Sequence, residues 1–302
     1  MSQLLAGSSD LVLFTALIGY ALALLAHAAA QASARRREHD QTARARVLVP
    51  AAAAPPLVPP PNTSSVPRLA SRCMLAAVLL HAAATALRGA ATGTVPLGTM
   101  YEFVTASALA AAVSYLLLSR ARPEARALGL YVAGGVAAAL GSAITGLYTE
   151  AGPLIPALRS GWLAIHVTAS VAASGAFTLG AITSALFLYA RGRGAVHGLE
   201  PHQLDVLARR LHSFAFPIWT FAVIAGAIWA DSAWGRYWGW DPKEVWAFIT
   251  WVIYAAYLHA RATRGWSPQR VALIAVTAYT SLLFNLIGVN LLLDSLHSYA
   301  RL

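Results

Sequence analysis

The stretch 162-WLAIHVTASVAASGAFTLGAITSALFLYA-190 runs for 29 residues without an Asp, Glu, Lys or Arg. A bilayer's hydrocarbon core is about 30 Å thick and takes roughly 20 apolar helical residues to span. This run is long enough to cross a membrane, with length to spare for tilt or extension beyond the lipid. Seven other runs share its character, at about residues 11–30, 70–88, 102–119, 127–148, 212–231, 244–262 and 270–293. Composition agrees. Hydrophobic residues make up 58% of the chain and charged residues 11%, whereas a soluble domain carries about 25% charged residues. The sequence predicts an all-α integral membrane protein of about eight transmembrane helices. The first run lacks a basic n-region and a cleavage site before Gln31, so it reads as a retained helix and not as a signal peptide.

A formal net charge of +10 raises the question of nucleic acid, but its distribution points elsewhere. Arg residues sit in alternate loops: Arg35, Arg36, Arg37, Arg44, Arg46, Arg68 and Arg72 between the first two runs, then Arg120, Arg122 and Arg126 after the third. Arg191, Arg193, Arg209 and Arg210 follow the fifth, and Arg261, Arg264 and Arg270 separate the last two. That puts 17 of the 22 basic residues on one side, leaving Arg88, Arg159, Arg236, Lys243 and Arg301 on the other. Such a bias follows the positive-inside rule and predicts that both termini are extracytoplasmic. The basic character reports topology, with lipid bilayer and not nucleic acid as the surrounding partner. Cys73 is the only cysteine, which rules out an intrachain disulfide or CxxC redox chemistry.

Three segments follow from this layout. Residues 1–30 form an N-terminal transmembrane helix, 31–68 an Arg-rich and Pro/Ala-rich cytoplasmic linker, and 69–302 a seven-helix unit. Within the linker, 47-VLVPAAAAPPLVPPPNTSSVP-67 has too many prolines for helix or sheet and reads as a tether, which would leave the first helix loosely attached. The segment 199-LEPHQLDVLARRLHSF-214 places Leu204, Leu207 and Leu211 on one helical face and reads as a short amphipathic helix at the inner surface.

Seven of the nine Trp residues fall between Trp219 and Trp251. Interfacial anchoring accounts for Trp162, Trp219, Trp229, Trp246, Trp251 and Trp266. It accounts less well for Trp234, Trp238 and Trp240, which crowd one short outer loop, 231–244, with Gly235 and Gly239 between them. Glycines let a backbone turn tightly or approach a ligand, and a flat aromatic surface suits stacking on a large planar molecule. Asp241-Pro242 reads as a helix start, with Asp241 as N-cap and Glu244 in the first turn.

The nine histidines sort by depth. His166 lies four residues into the fifth run and His297 follows the eighth, so both belong near the outer surface beside the tryptophan loop. They are either hydrogen-bonded interfacial side chains or a pair bracketing a planar ligand, as axial imidazoles bracket haem iron. His259 lies 16 residues beyond Lys243, about 24 Å deeper at helical rise, and cannot serve the same centre. An ionisable group inside a span is by default a functional candidate. His81 and His27 read as packed and hydrogen-bonded, and His39, His197, His202 and His212 as solvated or interfacial on the inner side.

The run 228-IWADSAWGRYWGWDPKEVWAFITWVIYAAYLHAR-261, with 96-PLGTMYEF-103 and 288-GVNLLLDSLHSY-299, resembles the WWD-domain haem-handling proteins of cytochrome c maturation. Among them it is most similar to the CcsA (ResC) family, subunit of the System II cytochrome c synthase. The resemblance covers most of the chain from about residue 70. It implies that 69–302 is a CcsA-like haem-handling domain, in the plasma membrane of a bacterium, with its functional loop extracytoplasmic. It implies that haem b is the bound group, with Trp234, Gly235, Trp238, Trp240 and Asp241 contacting it. His166 and His297 would be axial ligands of an outer haem. His259 would ligate a deeper one, completed by a CcsB/ResB-like membrane partner. The implied activity is that of a holocytochrome c synthase of the haem lyase type. It attaches haem to the CxxCH motif of an apocytochrome c kept reduced by an extracytoplasmic thiol reductase. A CcmC-like haem-delivery chaperone without ligase activity, or a multi-spanning solute transporter, are the alternative readings.

Overall fold

The computed structural model describes residues 1–47, 65–152 and 160–296. The greater part of the Pro/Ala-rich stretch lies outside them, as do Arg159 and His297. The described residues form eight helical rods: α1 (Ser2–Val47), α2 (Ser65–Thr92), α3 (Met100–Ala121), α4 (Gly129–Gly146), α5 (Gly161–Ala190), α6 (Pro201–Trp234), α7 (Pro242–Ala262) and α8 (Pro268–Leu283). A 3₁₀ turn, Pro123–Leu128, leads into α4, while α8 runs on through a π turn, Phe284–Gly288, to a last turn at Val289–Leu292. Seven of the rods are long and apolar enough to cross a membrane. The remaining one, α7, has the length of a span at 21 residues, but Lys243, Glu244, His259 and Arg261 dilute its apolar character. The chain is an all-α, multi-pass membrane protein, as the apolar runs predict. Helices suit that setting because a bilayer offers backbone N–H and C=O groups no partner other than each other.

Helix ends follow the sequence signals closely. Asp241 caps α7 with Pro242 at its first position, and Ser160 and Thr99 cap α5 and α3 through their hydroxyls. Two boundaries differ from expectation. The 199–214 segment is no separate surface helix. It is the first third of the 34-residue α6, with Leu204, Leu207 and Leu211 packed into the main core. Nor is α1 loosely held. Ser9 donates to the Ala84 carbonyl at 2.9 Å, Tyr20 meets His81 Nδ1 at 3.3 Å, and Gln31 donates to the Ala127 carbonyl at 3.0 Å. The helix lies this close because Gly19 faces Ala77, where even one added methyl would sit 3.1 Å from the Ala77 Cβ.

At the centre stands α5, packed against α3, α6 and α8. Its buried face is mostly small: Ala173, Ser174, Gly175, Ala176, Gly180, Ala181 and Ser184. In lipid the hydrophobic effect does not drive helices together, so close backbone approach and the dispersion contacts it allows must do so. Gly175 shows the tightness, since a Cβ there would lie 2.6 Å from the Ala110 carbonyl carbon of α3. Gly180 makes room for His212, which is fully buried against Phe177, Tyr254 and Tyr257 and bonded to Ser184 at 3.2 Å. His212 is thus a core residue and not an interfacial one, because the glycine pocket opposite it cannot be read from α6 alone.

Replacing Gly175 with Val should cost about 1–3 kcal/mol through overpacking. A lowered thermal unfolding midpoint in detergent checks this, and an unchanged midpoint would show that α3 and α5 are not in close register.

Candidate functional site

Between the ends of α3, α5, α6, α7 and α8 nearest the tryptophan loop lies a cleft of about 150 Å³. His166, Leu163 and Val167 of α5 form one wall, and Trp219, Val223, Gly226 and Trp229 of α6 another. Trp234, Tyr237 and Trp238 close the mouth, Phe103 and Met100 flank it from α3, and Lys243, Asn285 and Asn290 supply polar groups.

His166 is oriented by design of the backbone around it. Its Nδ1 lies 2.7 Å from the carbonyl oxygen of Ala222. A carbonyl accepts only, so Nδ1 carries a hydrogen, and in the neutral imidazole Nε2 would bear the lone pair. Metal-ligating histidines characteristically donate their other N–H to a carbonyl in this way. The ring stacks on Trp229, with centroids 6.4 Å apart and planes 12° apart. It fits there because position 226 is glycine, where an added Cβ would lie 2.6 Å from Nδ1. Trp229 in turn meets Trp234 edge-on at 4.8 Å. An aromatic chain therefore leads from His166 to the loop.

The loop is shorter than its sequence suggests, because α6 persists to Trp234 and Gly235 caps it at a φ of 70°. Trp240 also takes a left-handed φ of 58°, a conformation that strains a bulky side chain. That turn delivers Asp241, which is buried at 7% exposure. One of its oxygens accepts from the Lys243 amide at 3.2 Å and the Ser295 hydroxyl at 2.6 Å, and the other from the Leu296 amide at 2.7 Å. Glu244 accepts from the amides of Gly239 at 2.8 Å and Asp241 at 3.1 Å. The two carboxylates thus cap α7, tie the loop down and hold the C-terminal segment to it, one residue short of His297. Trp238 lines the cleft, while Trp240 is 70% exposed and sits edge-on to it at 5.8 Å.

Other predicted residues fall elsewhere. His259 is exposed on α7, 3.4 Å from the Thr263 hydroxyl, and does not line the cleft. Arg88 is no outer anion partner. It is buried against Glu102 at 2.7 Å, with the Thr149 carbonyl 2.6 Å away, and Glu102 also accepts from Gly98 at 2.8 Å. This pair secures the turn before α3 that carries Gly98, Thr99 and Met100 to the cleft. Several lining residues escaped the sequence reading. Trp219 and Trp229, read there as interfacial anchors, are 3% and 1% exposed. Lys243 donates to Asn290 at 2.9 Å, and Asn290 bonds back to the Leu286 carbonyl at 2.7 Å. The π turn that presents Asn285 gives no sequence signal, although such turns recur at functional sites.

The family profile described as "Cytochrome C assembly protein" matches residues 11–297, a range that takes in α1 as well as the loop. The chain belongs to that family. A cytochrome c biogenesis protein CcsA of Synechococcus sp. (strain CC9902) is 36% identical over 273 residues, covering 79% of this chain and 88% of the relative. The CcsA of Chlamydomonas reinhardtii is 41% identical over 154 residues, which cover 50% of this chain but only 44% of that longer protein. Among solved structures, a cytochrome c haem lyase CcmF superposes with a TM-score of 0.62 over 98% of this chain and 48% of its own length. At 18% identity, what is shared there is the fold. The match spans most of the cyanobacterial relative but less than half of the length of the other two proteins.

Substituting Asp241 by Ala removes an N-cap and two bonds to the C-terminal segment. The expected cost is about 1–3 kcal/mol, concentrated locally. Hydrogen exchange should accelerate in 235–241 and 293–296 while the α5 core stays protected. Uniform acceleration would show that the carboxylate serves global stability instead.

Proposed function

We propose that this protein takes up haem in the outer aromatic cleft and presents it, on the extracytoplasmic face of a bacterial plasma membrane, to apocytochrome c for thioether attachment. One observation carries the reading. An imidazole, His166, has its Nδ1–H fixed on a backbone carbonyl and lines a cleft walled by tryptophan. That arrangement suits an axial ligand to iron whose porphyrin lies against Trp234 and Trp238. His297, on the segment that Asp241 anchors through Ser295 and Leu296, is the second axial ligand. Lys243 is the cation for a propionate, since it lies inside the cleft and needs a negative partner there more than a solvated Arg236 does.

The protein's contribution is positional. Two histidines hold the iron, the tryptophans hold the ring plane, and the vinyl edge points to the mouth where an extended CxxCH peptide can reach it. Each cysteine thiol adds across one vinyl double bond. A carbon–sulfur bond forms at one vinyl carbon and the hydrogen ends on the other, without net oxidation or reduction. The thiols must arrive reduced, which calls for an extracytoplasmic thiol reductase. The CxxCH histidine then replaces one axial imidazole and releases the product. Residues 69–302 are the haem-handling unit in this reading, with 1–30 packed alongside. His259, exposed on α7 some 24 Å deeper, completes its own haem site with a CcsB/ResB-like partner. The likeness to CcsA relatives favours attachment over delivery alone by a CcmC-like chaperone.

The test is an absorption spectrum of the full chain purified with its partner. Wild type should carry a bis-histidine haem spectrum, and His166→Ala should lose the outer haem, with added imidazole restoring it. Protein that is haem-free under these conditions would overturn the proposal. Gly226→Val, which leaves every ligand in place, should lower outer-haem affinity about 10–100-fold by tilting the His166 ring. Normal affinity would show that the ring is not held by the α5–α6 contact.

A further inference from the structure

A second cavity, of about 1240 Å³, opens at the Arg-rich end of the bundle, between α1 and α4 on one side and α8 on the other, with α5 as its floor. It is separate from the aromatic cleft and shares no residue with it. Its upper part is apolar, lined by Ala181, Ile182, Ala185 and Leu186 of α5 and Val276 of α8. Its deep end is closed where Thr178 of α5 and Tyr279 of α8 bond to each other at 2.9 Å. From Thr178 to Tyr189 is 11 helical steps, about 16 Å. That length matches one leaflet of hydrocarbon, about 15 Å, and is too short for a spanning helix.

The mouth is basic and built. Arg35 and Arg193 line it together with His197, and no carboxylate lines it among the described residues. His197 takes a left-handed φ of 53° and is followed by Gly198 at 78°, in a tight turn closed by the Val196–Leu199 bridge. This strained turn holds the imidazole 3.3 Å from an Arg35 nitrogen and 2.7 Å from the Tyr131 hydroxyl. Because a guanidinium only donates, Nδ1 accepts and Nε2 carries the hydrogen. Burial first, and then the Arg35 charge, hold His197 below the usual histidine range, in keeping with that neutral form. Arg193 is steadied over the Tyr189 ring at 4.8 Å. Two guanidinium groups therefore line one opening.

We infer that this cavity binds one anionic phospholipid of the Arg-rich leaflet, its phosphate between Arg35 and Arg193 and an acyl chain along Ala181, Ala185 and Val276. Basic pockets between membrane helices on that side suit anionic headgroups. A porphyrin would need an iron ligand, and both ring nitrogens of His197 are engaged by Arg35 and Tyr131. A partner's helix would need a longer groove than one that reaches only to Thr178 and Tyr279.

The test is native mass spectrometry of the full chain in detergent, titrated after delipidation with phosphatidylglycerol or phosphatidylcholine. Wild type should retain one phosphatidylglycerol in preference to phosphatidylcholine. Arg35→Gln combined with Arg193→Gln should weaken the preference about thirtyfold. Ala185→Trp, which keeps both charges and fills the groove, should abolish retention of either lipid. Should the double variant prove unstable, the headgroup preference of wild type and the Ala185→Trp result still decide. No headgroup preference in wild type would overturn the inference. So would loss of haem absorbance in place of lipid in the charge variant, or displacement of the lipid signal by a copurifying membrane protein.

Discussion

Close approach of α5 to its neighbours is the constraint on which the rest of this structure depends. Lipid surrounds each helix with groups as apolar as its own side chains, so burial alone does not choose partners. The choice falls to shape. Gly175 brings the backbone of α3 against α5, Gly180 opens a seat for His212, and Gly226 on α6 opens one for His166. Each glycine gives up side-chain contact area, and each is repaid by a neighbour that could not otherwise fit. The aromatic cleft is a consequence of the same register, since α5 and α6 must lie side by side for Ala222 to accept from His166.

Two sets of buried carboxylates are held around that frame in local hydrogen-bond circuits. Arg88 and Glu102 are both about 95% buried, and such a pair is costly to desolvate unless further bonds satisfy it. Thr149 and Gly98 provide them, and the result is a fixed turn rather than a gain in stability for its own sake. Asp241 and Glu244 act likewise at the start of α7. Their five backbone and hydroxyl donors come from three separate stretches of chain, the loop, the helix start and the segment before His297. A loop carrying three large aromatic rings would otherwise have little to hold it, because glycine and solvent-exposed tryptophan contribute few internal contacts.

The architecture was legible in the sequence because membrane spans announce themselves by length and composition, and the helix starts by Asp, Ser and Thr before Pro or an apolar run. All eight rods fall where the apolar runs placed them, even α7 with its charged ends. What escaped was facing. Trp229 and Trp162 have similar sequence surroundings, yet one is 1% exposed and the other 40%. Depth follows from counting along a helix, whereas rotation about its axis is set by the partner, and the partner is known only after folding. Lys243 and Asn290 were invisible as a pair for the same reason, being 47 residues apart. His166, Trp234 and Trp238, singled out by residue type alone, do line one cleft. Gly226 and Ala222, which orient the histidine through a missing side chain and a backbone carbonyl, carry no such mark.

That asymmetry bears on the division of labour along α7. Its first turn, with Asp241, Lys243 and Glu244, is knitted into the cleft by bonds to the loop, to α8 and to the C-terminal segment. Its last turn carries Arg261, forked onto Asp205 of α6 by two bonds, one of them 2.9 Å long. Between these fixed ends the helix leaves His259 on an exposed face, joined only to its own next turn. A helix pinned at both ends cannot rotate to bring that imidazole inward. His259 therefore stays turned away from the cleft, which is assembled from the chain's own helices.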